Sequence, residues 1–564
     1  MVATTLKRDK SIPIIRKSPA VNCQGKYCIL KRNSEDTMPN IRQRRQTISA
    51  ALAQKGRQTI RAIAAATGIS KSSVQRHAQV LRRQHQQFPE SPLWVTATGE
   101  QWLKRLVIAT IYEFGLKRGV GAESLCEFFH KIRLEGHIGV SVSSLRKIQG
   151  VLEEKILAYK ESQHERLSQS SLSLPALCVG VDETWFEHTI LVMMDLSSGY
   201  LLVEEMASDH RYGTWRQPVQ KVLEHWRGHI QYCVNDRAKA LIKLALNDLG
   251  CPSIADLFHA MRKLTQGLGL DLDHRLNHLQ RRLREWQAQP TKEATLGQAL
   301  QSEVDGLQSA QTEFREHLMH ISLGLHPFDV STLCAQTAQK VSAKLNEQVN
   351  RLKEFKQTQK LKDAPGGIEK FTRQIDDLSA VVDVWWWWVY QSLTEPPPSE
   401  ALISWVITVL LPCCYWRSQT QRTDKPALRA YYQDAYQRSQ LTLQTHSITS
   451  TLQADTYNDW ESWARDMVTK FQRTTAAVEG RNGYLTQVHH NCRGLSARRL
   501  YVMTVIHNFD LQRADSSTAA ERLFKQPHPN LFETVLIQMP DLPLPRRRLK
   551  ASASQILARY NVPA

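Results

Sequence analysis

Between Pro175 and His259 the hydrophobic period of the chain drops from helical to strand-like, and this switch limits the fold more than any other feature. Leu177, Val179 and Val181 alternate with small residues in a strand that is predicted to end at Asp182. Thr189 to Asp195 reads as a second strand, Ser197-Ser198-Gly199 as a turn, and Tyr200 to Met206 as a third strand. An amphipathic helix from Tyr212 to Trp226 follows. A strand from Ile230 to Val234 then ends at Asn235-Asp236, before a helix from Arg237 to Leu249. Ile254 to Phe258 is the fifth strand, leading into a helix at His259. Three strands on short turns make an antiparallel meander, and helices between later strands make the expected class α/β, a mixed sheet flanked by helices.

The rest of the chain is helical in pattern. Residues 41–90 read as one small helical unit, residues 91–173 as a second helical region closed by a serine-rich linker (Glu161 to Ser173), and residues 174–264 as the strand-rich core. Residues 265–460 have few prolines and glycines and contain three long helical stretches, Leu270 to Trp286, Leu296 to His320 and Thr337 to Lys360. They are expected to form an all-α insertion. Residues 461–540 return to the core, with helices over Trp463 to His489 and Ser496 to Asn508. Residues 1–40 and 541–564 read as basic tails, the first disordered, the second carrying Arg546-Arg547-Arg548.

Charge narrows the partners. The 564 residues carry 73 Lys/Arg against 54 Asp/Glu, a formal charge of +19, and residues 1–90 alone hold 18 Lys/Arg against 4 Asp/Glu. Such an excess favours a polyanion. The longest apolar run, Leu402 to Trp416, is interrupted by Ser404 and Pro412 and reads as a core helix, which favours nucleic acid over membrane. Ten scattered cysteines suit reduced thiols in a cytoplasmic, nucleoid-associated protein, and Cys23 and Cys28 lack the second Cys/His pair of a zinc site.

Within the first unit, Ile60, Ile63 and Ala64 form an apolar face, Thr67-Gly68-Ile69 interrupts, and Ser70 caps a helix running to Arg83 with Val74 and Val80-Leu81 inward. Helix, glycine turn, capped helix is the pattern of a helix-turn-helix. It sends Lys71, Ser72, Gln75 and Arg76 outward, side chains suited to base edges and phosphates. A weaker second instance spans Ala122 to Leu152, with Ser141, Ser143, Ser144, Arg146 and Lys147 outward.

The order strand-strand-strand-helix-strand-helix-strand, with Asp182 and Asp236 at strand ends, resembles the ribonuclease-H-like fold of DDE-type transposases of bacterial insertion sequences. In that fold the first and fourth strands lie side by side, so the resemblance brings Asp182 and Asp236 together. The third acid of the family sits on a later helix, and Glu479 in Ala476-Ala477-Val478-Glu479-Gly480-Arg481-Asn482-Gly483 takes that place. A Tyr/Arg/Lys signature found around that acid in one bacterial subgroup is absent: Gln472, Thr475 and Thr486 stand there, and Glu461 and Asp466 are alternative third acids. Asp256-Leu257-Phe258-His259 is similar to the Cys/Asp-x-x-His pattern that follows the second acid in several transposase superfamilies, where His259 would orient substrate or protonate a leaving group. A long helical insertion at this junction also fits the family.

The resemblance implies Mg²⁺, with Mn²⁺ as substitute, held by Asp182, Asp236 and Glu479. Two hard dications about 3.5–4 Å apart can serve the attacking and leaving oxygens of a phosphodiester. DNA, both transposon ends and target, is the implied substrate, and pairing two ends implies at least a dimer during reaction. A non-cleaving DNA-binding regulator and a structure-specific nuclease are the rival readings. For single residues, plain alternatives stand beside these: Glu183 for Asp182, a helix cap at Asp236, a turn cap at Asp195, and core packing for at least two of Trp385-Trp386-Trp387-Trp388 against stacking on a base.

Overall fold

The computed structural model describes residues 41–53, 58–88, 90–168, 176–226, 228–289, 293–363, 366–393, 399–492 and 494–545. Residues 1–40, the Cys23/Cys28 pair, residues 546–564 with the Arg546-Arg547-Arg548 triplet, and most of the second half of the linker lie outside these residues. The start of the expected C-terminal tail is described and is packed, with Leu542 buried and the Pro543 carbonyl accepting from the Gly139 amide. The chain divides into two compact units, residues 1–99 and 100–564.

In the first unit three helices, α1 (Ile41–Ala53), α2 (Ile60–Thr67) and α3 (Lys71–Gln87), enclose Ile48, Ile63, Val74 and Leu81. Thr59 caps α2 by accepting from the Ala62 amide, and Ser70 caps α3 by accepting from Ser73. Gly68 turns the chain between them at φ 68°, a backbone conformation costly for residues with a Cβ.

The second unit is mostly helical around one five-stranded sheet. Its strands are β1 (Leu177–Trp185), β2 (Thr189–Asp195), β3 (Leu201–Ala207), β4 (Ile230–Asn235) and β5 (Ser253–Ala255), in the order β3-β2-β1-β4-β5. β1 is antiparallel to β2 and parallel to β4, so the sheet is mixed. The helices α4 (Tyr212–His225) and α5 (Lys239–Asn247) connect β3 to β4 and β4 to β5. Alternation sorts the side chains. Val179, Val181, Leu191, Met193 and Cys233 pack on one face with Trp215, Leu241 and Leu244. Cys178, Ile190, Val192, Met194, Tyr232 and Val234 pack on the other, in a core continuous with the long helices after residue 264. Gly180 is needed in β1, because a Cβ there would lie 2.7 Å from the Leu196 side chain.

Four boundaries differ from the sequence reading. β1 runs on to Trp185 because the hairpin continues to the pair Trp185–Thr189, so Asp182 is interior to the strand. The fifth strand is only Ser253–Ala255, since the Asp256 carboxylate accepts from the Phe258 amide and starts a helix, α6 (Leu257–Leu264). The helix Val142–Ser168 runs through the start of the expected linker because Leu152, Ile156, Tyr159 and Gln163 extend its buried stripe. The expected helix over 463–489 is two helices. Ala454–Thr469 ends at an extended segment, followed by α7 (Ala476–Cys492). Tyr232 holds that segment, its hydroxyl donating to the Lys470 carbonyl and accepting from the Gln472 amide.

The insertion is all-α, including Leu270–Gln287, Ala294–Gly324, Ala338–Thr358 and Ile375–Ser392. Among the described residues, Glu400–Arg422 is the one stretch long and apolar enough to cross a membrane, and 56% of its most apolar window is buried inside the protein. Trp405, Tyr415 and Trp416 within it are core residues. Trp385 and Trp386 are also buried, Trp387 is exposed and Trp388 is half-buried, the mixed outcome that four consecutive helical positions impose.

Candidate active site

The site grows from the pairing of β1 with β4. Cys178, Val179 and Gly180 face Tyr232, Cys233 and Val234 in parallel register, a constant offset of 54 residues. The same offset separates Asp182 from Asp236, but the ladder ends at Gly180–Val234 and Asp236 lies one residue past β4, in a turn. By alternation Asp182 belongs to the face of Cys178, and the Asp236 charge acts on both Asp182 and Glu183. Asp182 is 7% exposed, deep for a carboxylate. Asp236, one residue past β4, is half-buried, and its Oδ1 accepts from the Ala238 amide at 2.8 Å in a turn before α5. That turn needs Arg237 at φ 70°, and its guanidinium secures it by donating to the Ser253 carbonyl (2.9 Å) and pairing with Asp377 of the insertion (3.0 Å).

Two helices bring the other groups to the Asp182 face. His259, in the first turn of α6, places Nε2 3.3 Å from Glu479 Oε1 and 3.9 Å from Asp182 Oδ1. Glu479 lies in the first turn of α7. One donor atom from each of Asp182, His259 and Glu479 lies within 4.8 Å of the others. Asp182 and Glu479 are 297 positions apart in sequence, yet they meet through His259. The expected acids Glu461 and Asp466 do not join them: Glu461 pairs with Arg465 and Arg417, Asp466 with Lys470 and Lys525.

Asp256 aligns the two helices, and its Oδ2 also lies 3.6 Å from His259 Nε2. Its Oδ1 accepts from the Phe258 and Thr475 amides and its Oδ2 from the Thr475 hydroxyl, which ties the start of α6 to the start of α7. The Leu257 amide donates to the Arg473 carbonyl at the same junction. Burial raises the Asp256 carboxyl above its ordinary range, against the lowering pull of those hydrogen bonds and of His259.

Two contributors on α7 carry no sequence signal of their own. Asn482, one turn beyond Glu479, donates from Nδ2 to Asp182 Oδ2 at 3.1 Å, while its buried Oδ1 has no partner. Arg481 points to the far side and makes a two-pronged pair with Glu204 of β3, both bonds 2.7 Å and both side chains almost fully buried. A hydroxyl, from Thr504 of the helix α8 (Ala497–Phe509), completes Glu204 at 2.6 Å. Only the helical spacing of 479 and 482 hinted that both face one side.

The electrostatics are those of a pocket short of positive charge. Burial first, then Glu479, Glu183 and Asp236, push the Asp182 carboxyl up to about 8. Glu183 is raised as well, by burial and by Asp236, but it does not enter the Asp182–His259–Glu479 cluster. Asp195 takes its plainer role: its carboxylate accepts from Ser198 and from the Cys178 amide and closes the β2–β3 turn.

In the first unit Lys71, Ser72, Gln75 and Arg76 are all exposed on α3. In the second unit Arg146 and Lys147 are exposed on Val142–Ser168, but Arg146 is paired with Glu123 at 2.5 Å, so it is a less available cation than the sequence suggested. Residues 406–551, which include Glu479 and Asn482, match a family of unknown function (DUF6399). No curated protein matches the chain.

Proposed function

We propose that this chain is a metal-dependent DNA strand-transfer enzyme, a transposase with a ribonuclease-H-like core and a helix-turn-helix DNA-binding unit. The observation that carries the reading is the meeting of Asp182 and Glu479 with His259, with Asp236 close enough for its charge to act on Asp182. Structural carboxylates are usually paired with cations or capped by amides. These converge without a Lys or Arg partner among the described residues. Glu479, Glu183 and Asp236 together with burial raise the proton affinity of Asp182, which is the behaviour of groups placed for chemistry.

The donor set fits a divalent cation. Carboxylate oxygens and a buried imidazole nitrogen without a hydrogen-bond partner face one another at near-chelating distances. Asp182 and Glu479 would hold the cation, with Asp236 adjacent. A cation bound there supplies Lewis-acid stabilisation of the phosphate oxygens and acidifies the attacking hydroxyl. The chain's own groups do the rest. Asn482 fixes the Asp182 carboxylate through Oδ2. Asp256 and Thr475 fix the angle between α6 and α7. Lys71, Ser72, Gln75 and Arg76 give α3 a polar, basic face for the DNA duplex. In the proposed reaction water attacks a phosphodiester and breaks its P–O3′ bond, leaving a 3′-OH and a 5′-phosphate. That 3′-OH then attacks a target phosphodiester, forming a new P–O bond as the target's own P–O3′ bond breaks and releases a target 3′-OH.

The test is cleavage of DNA carrying the ends of the element that encodes the chain. Full-length protein with Mg²⁺ or Mn²⁺ is expected to produce 3′-OH nicks, and Asp182→Ala to lower the rate on the order of 10³-fold, about 4 kcal/mol of barrier. Cleavage undiminished in that variant overturns the assignment. Salt-dependent DNA binding with no dication-dependent cleavage leaves a DNA-binding regulator. In either case, replacing Lys71 and Arg76 together by alanine is expected to reduce the salt slope of binding by about 2.

A further inference from the structure

The tightest donor cluster is not the three acids expected from sequence. It is two acids and a histidine, Asp182, Glu479 and His259, and among the described residues it is the one group of three His, Cys, Asp or Glu whose donor atoms come so close. Asp236 is less available, because its Oδ1 is used by the Ala238 amide. Asp256 is less available still, with both oxygens engaged by Phe258 and Thr475. His259 Nε2 also lies 3.6 Å from that engaged Asp256 Oδ2; it is shielded from water, makes no hydrogen bond, and stands among the acids as a nitrogen donor.

Neighbouring ligand atoms around a dication with bonds of about 2.1 Å lie roughly 3 Å apart. The His259–Glu479 separation of 3.3 Å is near that edge length, and the 3.9 Å to Asp182 needs a movement smaller than a rotamer change. Asn482 independently points to a ligand here. It is 94% buried, its amide occupies Asp182 Oδ2, and its Oδ1 is left without any partner. Asp182 is thus restrained to offer Oδ1, the oxygen nearer His259.

We propose that Asp182, His259 and Glu479 form a mixed nitrogen–oxygen site that selects a first-row transition dication, with Mn²⁺ bound in preference to Mg²⁺. The inference deepens the proposed function by naming the ligand set of its cation, and rests on that reading only for the use of the bound ion. Mg²⁺ is hard and takes oxygen ligands with several waters, so an imidazole in its shell is unfavourable. Transition dications accept imidazole readily. The two carboxylates supply the charge, and His259 supplies the selectivity.

The test uses the full-length protein, Mn²⁺ alone, and no DNA. Titration followed by the electron paramagnetic resonance of free Mn²⁺ is expected to give one site at least tenfold tighter than Mg²⁺ measured by competition. Pulsed spectra of the bound Mn²⁺ are expected to show coupling to a ¹⁴N nucleus. In His259→Gln the coupling is lost and the Mn²⁺ preference falls at least tenfold, while thermal unfolding and circular dichroism report whether the variant is folded. The wild-type spectrum decides the matter even if that variant fails to fold. Mn²⁺ bound without nitrogen coupling, equal affinity for the two ions, or no Mn²⁺ binding below millimolar overturns the inference. A nitrogen-coupled Mn²⁺ that supports no cleavage of any DNA upholds the site and overturns the enzymatic reading instead.

Discussion

Helix α7 carries two charged groups only two residues apart, Glu479 half-buried and Arg481 buried, and their surroundings are opposites. Arg481 meets Glu204 in a dry, two-pronged pair whose acid is completed by Thr504. Glu479 meets Asp182 and His259 in a pocket where negative charge accumulates, and where Asn482 contributes only a neutral amide. The first arrangement satisfies its charges within the chain. The second leaves its carboxylates without a Lys or Arg partner among the described residues. The helix is thus anchored on one side by a closed pair and presents an open one on the other, and the precision of the open site depends on the rigidity of the closed one.

The sharpest way to break this comparison is to remove the anchor. In Arg481→Met the Glu204 carboxylate is left buried and short of its partner, and such a loss costs about 3–5 kcal/mol. Chemical denaturation is expected to show a lower midpoint with the slope little changed. A double change, Arg481→Met with Glu204→Leu, removes both charges and is expected to recover much of the loss. If the single change is silent, the pair is not what holds α7 to β3.

Histidine 507 of α8 belongs to the closed side. Its Nε2 donates to the Gly199 carbonyl at 2.8 Å, and burial, with Arg481 beside it, pushes its pKa down to about 4. In the unfolded chain an ordinary histidine titrates near 6.5. Above pH 6.5 neither state is protonated and the group is neutral to stability. As the pH falls from 6.5 towards 4 the unfolded chain takes up a proton that the folded one refuses, and stability drops by up to about 3 kcal/mol. His507→Gln, which keeps an N–H donor, is expected to flatten urea-derived stability between pH 6.5 and 4. An unchanged pH profile would remove His507 from the acid-sensitive set.

How much of this was readable in the chain follows the reach of each interaction. The strand order came from local alternation, and the two short helices of the first unit from caps and a glycine that act within four residues. Asp182, Asp236 and Glu479 came from a resemblance to ordered acids. Their actual partners did not, because Asn482 meets Asp182 across 300 positions and Arg481 meets Glu204 across 277. The break between Thr469 and Ala476 was also invisible, since it depends on the distant Tyr232 hydroxyl and on Asp256. Asp256 and His259 were singled out as a unit, but the structure divides their labour: one aligns helices and the other enters the cluster.

The open side makes the smallest and most discriminating prediction, because its sign is opposite. Asp182 holds its proton in the folded protein up to about pH 8 but only to about 4 when unfolded. Over that interval the folded state is the one with more protons bound, so stability falls as the pH rises, the reverse of the His507 case. The penalty is softened because the pocket is partly wet, with the His259 and Glu479 side chains 19% and 27% exposed. Replacing Asp182 by asparagine removes the charge at nearly constant shape. At pH 8 it is expected to raise stability by about 1 kcal/mol, a Tm increase of roughly 2–4 °C, while abolishing cleavage. Mn²⁺ should raise the Tm of the wild type and leave that of Asp182→Asn nearly unchanged, because a cation that binds only the folded state stabilises it in proportion to its affinity. A variant less stable than wild type at pH 8 would mean that the Asp182 carboxylate is already compensated inside the fold, and the contrast between the two sides of α7 would fail.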